Sequence, residues 1–357
     1  MEEESEMAQI KRELWGTHDN RDVYLYTLTN RNGMQARITT LGGIIVSLLA
    51  PDRAGMFADV VLGFDDLESY RKPHPFFGAL VGRYANRIAG ASFTHDGITY
   101  RLVPSEGENQ LHGGTQGFDK KVWDSAVVPA ADGDCLALSW FSRDTEQGYP
   151  GNLDVTVLYT LTENNALRID YQARTDQDTI VNLNNHSYFN LAGHNSGTVF
   201  DQTLQINASA FTVIGEGSIP TGEIRPVAGT DLDFREPVAI GARIRSEDPQ
   251  MTMVKGYDHN YCIDPGARLP EVCATAKDPV SGRVMTVMTD KPGVQLYTGN
   301  FLQNVPGKGG AVYPQHAGFC LETQYYPDSP HHAEFPSALL KAGETYAYTT
   351  VYAFSAE

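Results

Sequence analysis

Leu153-Asp-Val-Thr-Val-Leu-Tyr-Thr-Leu161, Thr162-Glu-Asn-Asn165 and Leu167-Arg-Ile-Asp-Tyr-Gln-Ala173 lie close together in the middle of the chain. The outer two segments are rich in β-formers and largely alternate apolar with polar residues, as a strand with one buried face does. The polar stretch between them is a hairpin turn. Strands joined by so short a link run antiparallel. The pattern extends in both directions. Towards the N-terminus lie Val23–Thr29, a turn at Asn30-Arg-Asn-Gly33, then Gln35–Thr40, Gly43–Leu49 and Leu136–Phe141. Towards the C-terminus lie Thr203–Ile206, Tyr257–Ile263, Val284–Thr289, Val294–Tyr297, Gly318–Thr323 and Tyr346–Phe354.

Few segments carry helical periodicity over a dozen residues. The 34 glycines and 19 prolines are spread as turn punctuation, with no repeat, low-complexity linker or composition break. The expectation is an all-β fold: a single domain over residues 11–357, built as a large antiparallel β-sandwich with long connecting loops. Residues 1–10 are expected to form a flexible acidic tail.

A net charge of −17 disfavours nucleic acid and anionic membrane surfaces as partners. Cys135, Cys262, Cys273 and Cys320 are widely separated, with neither a C-x-x-C pair nor a dense disulfide framework. The N-terminus lacks the apolar core of a signal peptide, and no apolar run approaches the ~20 residues of a membrane span. A cytoplasmic location is expected.

Asn182-Leu-Asn-Asn-His-Ser-Tyr-Phe-Asn-Leu191 stands out from the other strand-like segments. As a strand it places Asn182, Asn184, His186, Tyr188 and Asn190 on one face. Amides and phenols both donate and accept hydrogen bonds, which suits a neutral, hydroxyl-rich ligand. A histidine among them can move a proton near neutral pH. The stretch points to a sugar site with proton chemistry.

Other polar groups sit where strands and loops do not require them. Gly82-Arg-Tyr-Ala-Asn-Arg-Ile-Ala-Gly90 carries Arg83, Asn86 and Arg87, and His112 precedes two glycines. Arg83 is as readily a structural ion-pair partner as a ligand contact. Alternation over Tyr257–Ile263 puts Asp258 on the polar face and His259 with the tyrosines. Gln295 and Tyr297 share a face, as do Cys320, Glu322 and Gln324. A carboxylate flanked by Cys and Leu is buried, and burial raises its pKa towards the range of a general base. The alternative for Glu322 is a salt bridge to an arginine. Adjacent His331 and His332 on a strand would point to opposite faces and not chelate together. No phosphate-binding loop, zincin motif or nucleophile elbow is present.

Taken together, Gly82-Arg-Tyr-Ala-Asn-Arg-Ile, Asn109-Gln-Leu-His-Gly-Gly, Asn185-His-Ser-Tyr-Phe-Asn-Leu, Tyr257-Asp-His-Asn-Tyr, Gln295-Leu-Tyr-Thr-Gly-Asn and Leu321-Glu-Thr-Gln-Tyr-Tyr-Pro-Asp resemble the aldose 1-epimerase, or galactose mutarotase, family. The motifs occur in family order from about residue 24 to the C-terminus. The resemblance implies a β-sandwich with a sugar cleft on a concave sheet. It implies interconversion of the α and β anomers of free hexoses such as galactose and glucose, without metal or organic cofactor. It further implies that His186 is the general acid, Glu322 the general base, and His112 an assistant at the ring oxygen. Asn86, Arg87, Asp258 and Gln295 would hold sugar hydroxyls. The expected partner is the hexose alone, with the chain a monomer or weak homodimer.

Three rivals remain on this reading, one of them a glycosidase, which needs two carboxylates flanking the bond and could draw only on Asp258 and Glu322. A hexose-6-phosphate 1-epimerase would need cations at the C6 end of the pocket, for which Lys72 and Arg83 are candidates. A lectin-like module would use the same amides without needing the Glu322–His186 pair.

Overall fold

The computed structural model describes residues 9–130, 133–266 and 269–357. Three antiparallel sheets make up most of it. The largest has nine strands in the order Asp124–Val128, Cys135–Ser142, Leu153–Leu161, Ala166–Thr175, Thr345–Ala356, Arg283–Thr289, Glu271–Lys277, Thr203–Ile206 and Val238–Ala239. The expected central hairpin forms, with Leu161 opposite Leu167 and Asn165 at φ 58° in the turn. A five-stranded meander runs from Gln9–His18 through Arg21–Thr29, Gln35–Thr39 and Ile45–Pro51 to Phe57–Asp59. The third sheet, ordered Pro220–Pro226, Ala208–Ile214, Asp258–Ile263, Gly293–Tyr297 and Cys320–Gln324, carries Asp258, Gln295 and Glu322.

The third sheet packs its apolar back against the largest sheet. Val294, Leu296, Leu321 and Tyr261 join one buried cluster with Leu153, Val155, Val157, Leu167, Ile169 and Tyr352. Each such side chain stabilises the fold by roughly 1.5–3 kcal/mol on burial. Polar links fix the sheet positions: the Thr323 and Thr350 hydroxyls lie 2.6 Å apart, and Tyr352 donates to the Leu321 carbonyl at 3.1 Å. Helix among the described residues is confined to short pieces such as Leu67–Arg71 and Pro249–Val254. Among the described residues, no helix is long and apolar enough to cross a membrane.

Two expectations need correction. The strand Gln9–His18 begins inside the residues assigned to a tail. Its sequence, with Lys11-Arg12-Glu13, has no apolar alternation because it is a solvent-facing edge strand. Pairing with Arg21–Thr29 creates it, not burial of its own side chains. The rest of the expected tail, residues 1–8, lies outside the described residues. Second, Asn182–Leu191 is not one continuous strand. Only Asn184–His186 is extended in a ladder, opposite Ala79–Val81. Its other amides satisfy loop backbone: Asn182 bonds to the carbonyls of Ala85 and Tyr325, and Asn190 to those of Gly197 and Ala317.

Candidate active site

Register across three strands of the third sheet builds one wall of the site. Asn260 lies opposite Gln295, and Gln295 opposite Glu322. In the next row Asp258 lies opposite Tyr297, and Tyr297 opposite Cys320. Directly opposed residues share a face, so these six side chains form a polar layer above the apolar back. Gly293 completes it, because a Cβ there would come within 2.5 Å of Asn260 Oδ1. Gln295 donates to Asp258 Oδ1 at 2.7 Å and accepts from Gln324 at 3.0 Å.

The opposite wall comes from two short ladders. Ala79–Val81 with Asn184–His186 delivers His186, while Arg87–Ile88 with Gln110–Leu111 delivers Asn86, Arg87 and His112. Asn86 and His112 flank the second ladder at φ 64° and 51°, a conformation non-glycine residues adopt at a cost. They hold each other there. The His112 amide donates to the Asn86 carbonyl at 2.9 Å, and the Asn86 amide donates to His112 Nδ1 at 3.2 Å. The second bond makes Nδ1 an acceptor, so neutral His112 carries its proton on Nε2.

Between the walls lies a cleft of about 1080 Å³ lined by His186, Glu322, His112, Asn86, Arg87 and Asp258, with Phe76, Tyr188, Tyr297 and Phe301 as aromatic surfaces. His186 Nε2 is 3.6 Å from Glu322 Oε1. The imidazole stacks with Tyr188, at 5.1 Å between ring centres, and with Phe76, at 5.8 Å. Its Nδ1 is 3.6 Å from Cys320 Sγ. Asn184 donates to the other Glu322 oxygen at 3.0 Å and fixes the carboxyl plane. Arg87 grips Glu106 through two bonds of 2.6 and 2.9 Å and brings Nη1 to 4.0 Å from Asp258.

Enclosure alters the acid–base properties. Burial, reinforced by the charge of Asp258, pushes the Glu322 carboxyl up to about 8, against opposing pulls from the Asn184 bond and Arg87. Burial takes His186 down to about 4. Burial and the neighbouring His186 and Arg87 hold His112 well below its ordinary value. Asp258 is raised by burial, with Arg87 and Gln295 working against the rise. The pair at 3.6 Å therefore keeps a single proton near neutrality, on the carboxyl when the cleft is empty.

Six of the seven residues singled out from sequence line this cleft: His186, Glu322, His112, Asn86, Arg87 and Asp258. Gln295 is 3% exposed and sits beneath Asp258, which it orients. His259 turns away, fully buried against Phe211. Arg83 is consumed by Ser142, Arg143 and Pro150, and Lys72 lines a neighbouring cavity with His74 and Asp119. Neither supplies a cation to the cleft. His331 and His332 occupy a tight turn, not a strand, and both approach Asp328. Sequence reasoning did not single out Phe76, Glu106 or Phe301. The aromatic run after Pro73-His-Pro75 was a usable signal for Phe76. Glu106 and Phe301 lie in loops whose path no local pattern encodes.

Known proteins match this architecture along nearly the whole chain. The aldose 1-epimerase family profile matches residues 24–353. The galactose mutarotase of Homo sapiens is 45% identical over 323 residues, covering 90% of this chain and 91% of that one. The aldose 1-epimerase of Escherichia coli K12 is 40% identical over 342 residues, covering 95% and 97%. The crystal structure of a galactose 1-epimerase from Lactobacillus acidophilus superposes with a TM-score of 0.87 at 28% identity, covering 98% of this chain and 99% of that one. With the same sandwich and a cleft built around a histidine and a buried carboxyl, the chain belongs to the aldose 1-epimerase family.

Proposed function

We propose that this aldose 1-epimerase interconverts the α and β anomers of a free hexose, galactose or glucose, with Glu322 and His186 as the proton-transfer pair. The observation that carries the assignment is the 3.6 Å approach of these two buried groups at the floor of the cleft. Glu322 takes the C1 hydroxyl proton while His186 delivers one to the ring oxygen. The C1–O5 bond breaks, leaving an aldehyde. Rotation about C1–C2 presents the other carbonyl face, and reversal of both transfers closes the ring.

A bound sugar favours the required protonation state. Its C1 hydroxyl donates to the carboxylate, and its ring oxygen accepts from the imidazolium, so each contact stabilises the charged form. His112, with its proton on Nε2, supplies a second donor at the ring oxygen. Arg87, Asp258 and Asn86 offer complementary groups to the remaining hydroxyls, and Gln295 acts through Asp258. The aromatic surfaces accommodate the apolar faces of the sugar ring. The absence of Arg83 and Lys72 from the cleft favours a neutral sugar over a phosphorylated one. All four cysteines are buried and unpaired, which supports the expected reducing, cytoplasmic setting.

Polarimetry on freshly dissolved α-D-galactose and α-D-glucose tests this. The protein should speed the approach to an unchanged final rotation. Glu322→Gln and His186→Asn should each reduce kcat by roughly 10²–10⁴-fold while circular dichroism stays that of the parent. Near-normal turnover in either variant refutes the assigned roles.

A further inference from the structure

The pair assigned to proton transfer has a third member that the reaction does not use. His186, Cys320 and Glu322 are all buried, and each offers a ligand atom within 4.8 Å of the other two. Cys320 and Glu322 project from the same face of one strand, and His186 approaches from the opposite wall. Its Nδ1 is 3.6 Å from Sγ and its Nε2 is 3.6 Å from Oε1. Ligands on a tetrahedral zinc ion, bonded at about 2.0–2.3 Å, stand roughly 3.5 Å apart. An imidazole gives one ion a single nitrogen: Nδ1 meets Sγ at that spacing, and Oε1, which faces Nε2, has to swing towards it from a starting set in which the three ligand atoms lie no more than 4.8 Å apart.

The surroundings suit a cation as well. Asn184 holds the far oxygen of Glu322 and leaves Oε1 free, the outer support that orients a ligating carboxylate. Asn184 Oδ1 is itself buried without a partner among the described residues. Thiolate, carboxylate and neutral imidazole around a divalent ion sum to zero charge, the balance that a desolvated site requires. Binding would release the thiol proton and any proton on Glu322. His186 and Glu322 line the open cleft, so an ion has a route in.

The geometry points to a thiophilic divalent-cation site, of which zinc is the type, formed by His186, Cys320 and Glu322 and mutually exclusive with sugar. Zinc there inhibits, because it removes both proton-transfer groups together. A second cluster of potential ligands among the described residues, His95, Asp96 and Asp178, is partly exposed and has no sulfur. It serves as an internal control.

This inference rests on the proposed active site, but its test reads binding without turnover. Equilibrium dialysis of the full chain against zinc chloride should find one tight ion per chain, removed by a chelator. Cobalt in its place should show a thiolate-to-metal charge-transfer absorption that saturating D-galactose abolishes. Cys320→Ser should eliminate that absorption and weaken zinc by at least about tenfold, and Glu322→Gln should weaken zinc similarly if the serine variant does not fold. His95→Ala should leave both unchanged. No tight ion, or one indifferent to galactose and to both substitutions at Cys320 and Glu322, overturns the site. Zinc binding without accelerated mutarotation would overturn only the functional assignment, and mutarotation without zinc binding only the cation site.

Discussion

The pH dependence of kcat/KM tests the protonation state assigned to the cleft. The perturbation is pH, and the reporters are the two groups at 3.6 Å, with Glu322 held at about 8 and His186 at about 4. Between those values the pair carries one proton, and one proton is what ring opening requires. Below about 4 the pair gains a second proton and loses its base. Above about 8 it loses its only proton, and with it the acid. The profile of kcat/KM, which reports the free enzyme, should therefore be level from about pH 4 to 8. Beyond each limb it should fall about tenfold per unit. Both limbs belong to the coupled pair and not to one residue each. An unperturbed pair would behave differently, with limbs near 4.5 and 6.5, and would lose most of its rate by pH 8.

The assay is initial-rate polarimetry on α-D-galactose below KM, with the buffer-catalysed rate subtracted at each pH. Asp258→Asn provides the second arm. The charge of Asp258 helps raise Glu322, so its removal should move the upper limb to lower pH, whatever it does to sugar affinity. Because bound sugar stabilises the charged forms, the limbs of kcat should close in on each other relative to those of kcat/KM. A wild-type rate lost between pH 6.5 and 7.5 would refute the desolvation argument. So would an upper limb that stays in place in Asp258→Asn.

Glu322→Gln should stabilise the fold progressively as pH rises. The folded value of about 8 lies above the ordinary 4.5, so the cost of this group begins near 4.5 and is complete near 8. At pH 7 it is ~3 kcal/mol, and calorimetry should show the variant's Tm gaining on the parent's across that window, with no gain below it. Arg87→Ala removes charged hydrogen bonds of about 1.5–3 kcal/mol each, and should lower kcat/KM by at least about tenfold, mainly through KM. Glu106→Gln should show a milder form of the same defect, since it loosens the two-bond grip on the guanidinium. Gly113 sits at φ 82°, where a Cβ would fall 1.9 Å from the Gly82 carbonyl oxygen. Gly113→Ala should cost more than about 2 kcal/mol and displace His112, lowering both Tm and kcat.

The strands most legible in the sequence are those buried on one face. Leu153–Leu161 and Ala166–Thr175 alternate because one side of each meets the core, and their expected positions hold within a residue or two. Strands defined by their neighbours are not legible in this way. Gln9–His18 and Pro220–Pro226 are edge strands with mostly exposed side chains, and their own residues record no partner.

The same distinction runs through the site. Period two correctly separates Asp258 from His259, and it groups Cys320, Glu322 and Gln324, because those residues lie on regular strands. It fails across Asn182–Leu191, where the chain leaves the ladder on both sides of Asn184–His186 and turns Asn182 and Asn190 to structural use. Alternation also says nothing about depth. Gln295 shares the polar face with Tyr297, yet the longer phenol reaches the cleft while the amide stays beneath Asp258. Depth depends on how three strands and two loop ladders close over one another. Cys320 shows why this matters: along the strand it is merely a neighbour of Glu322. Only the approach of His186 from a separate ladder turns the two into one acid–base and ligand-bearing centre.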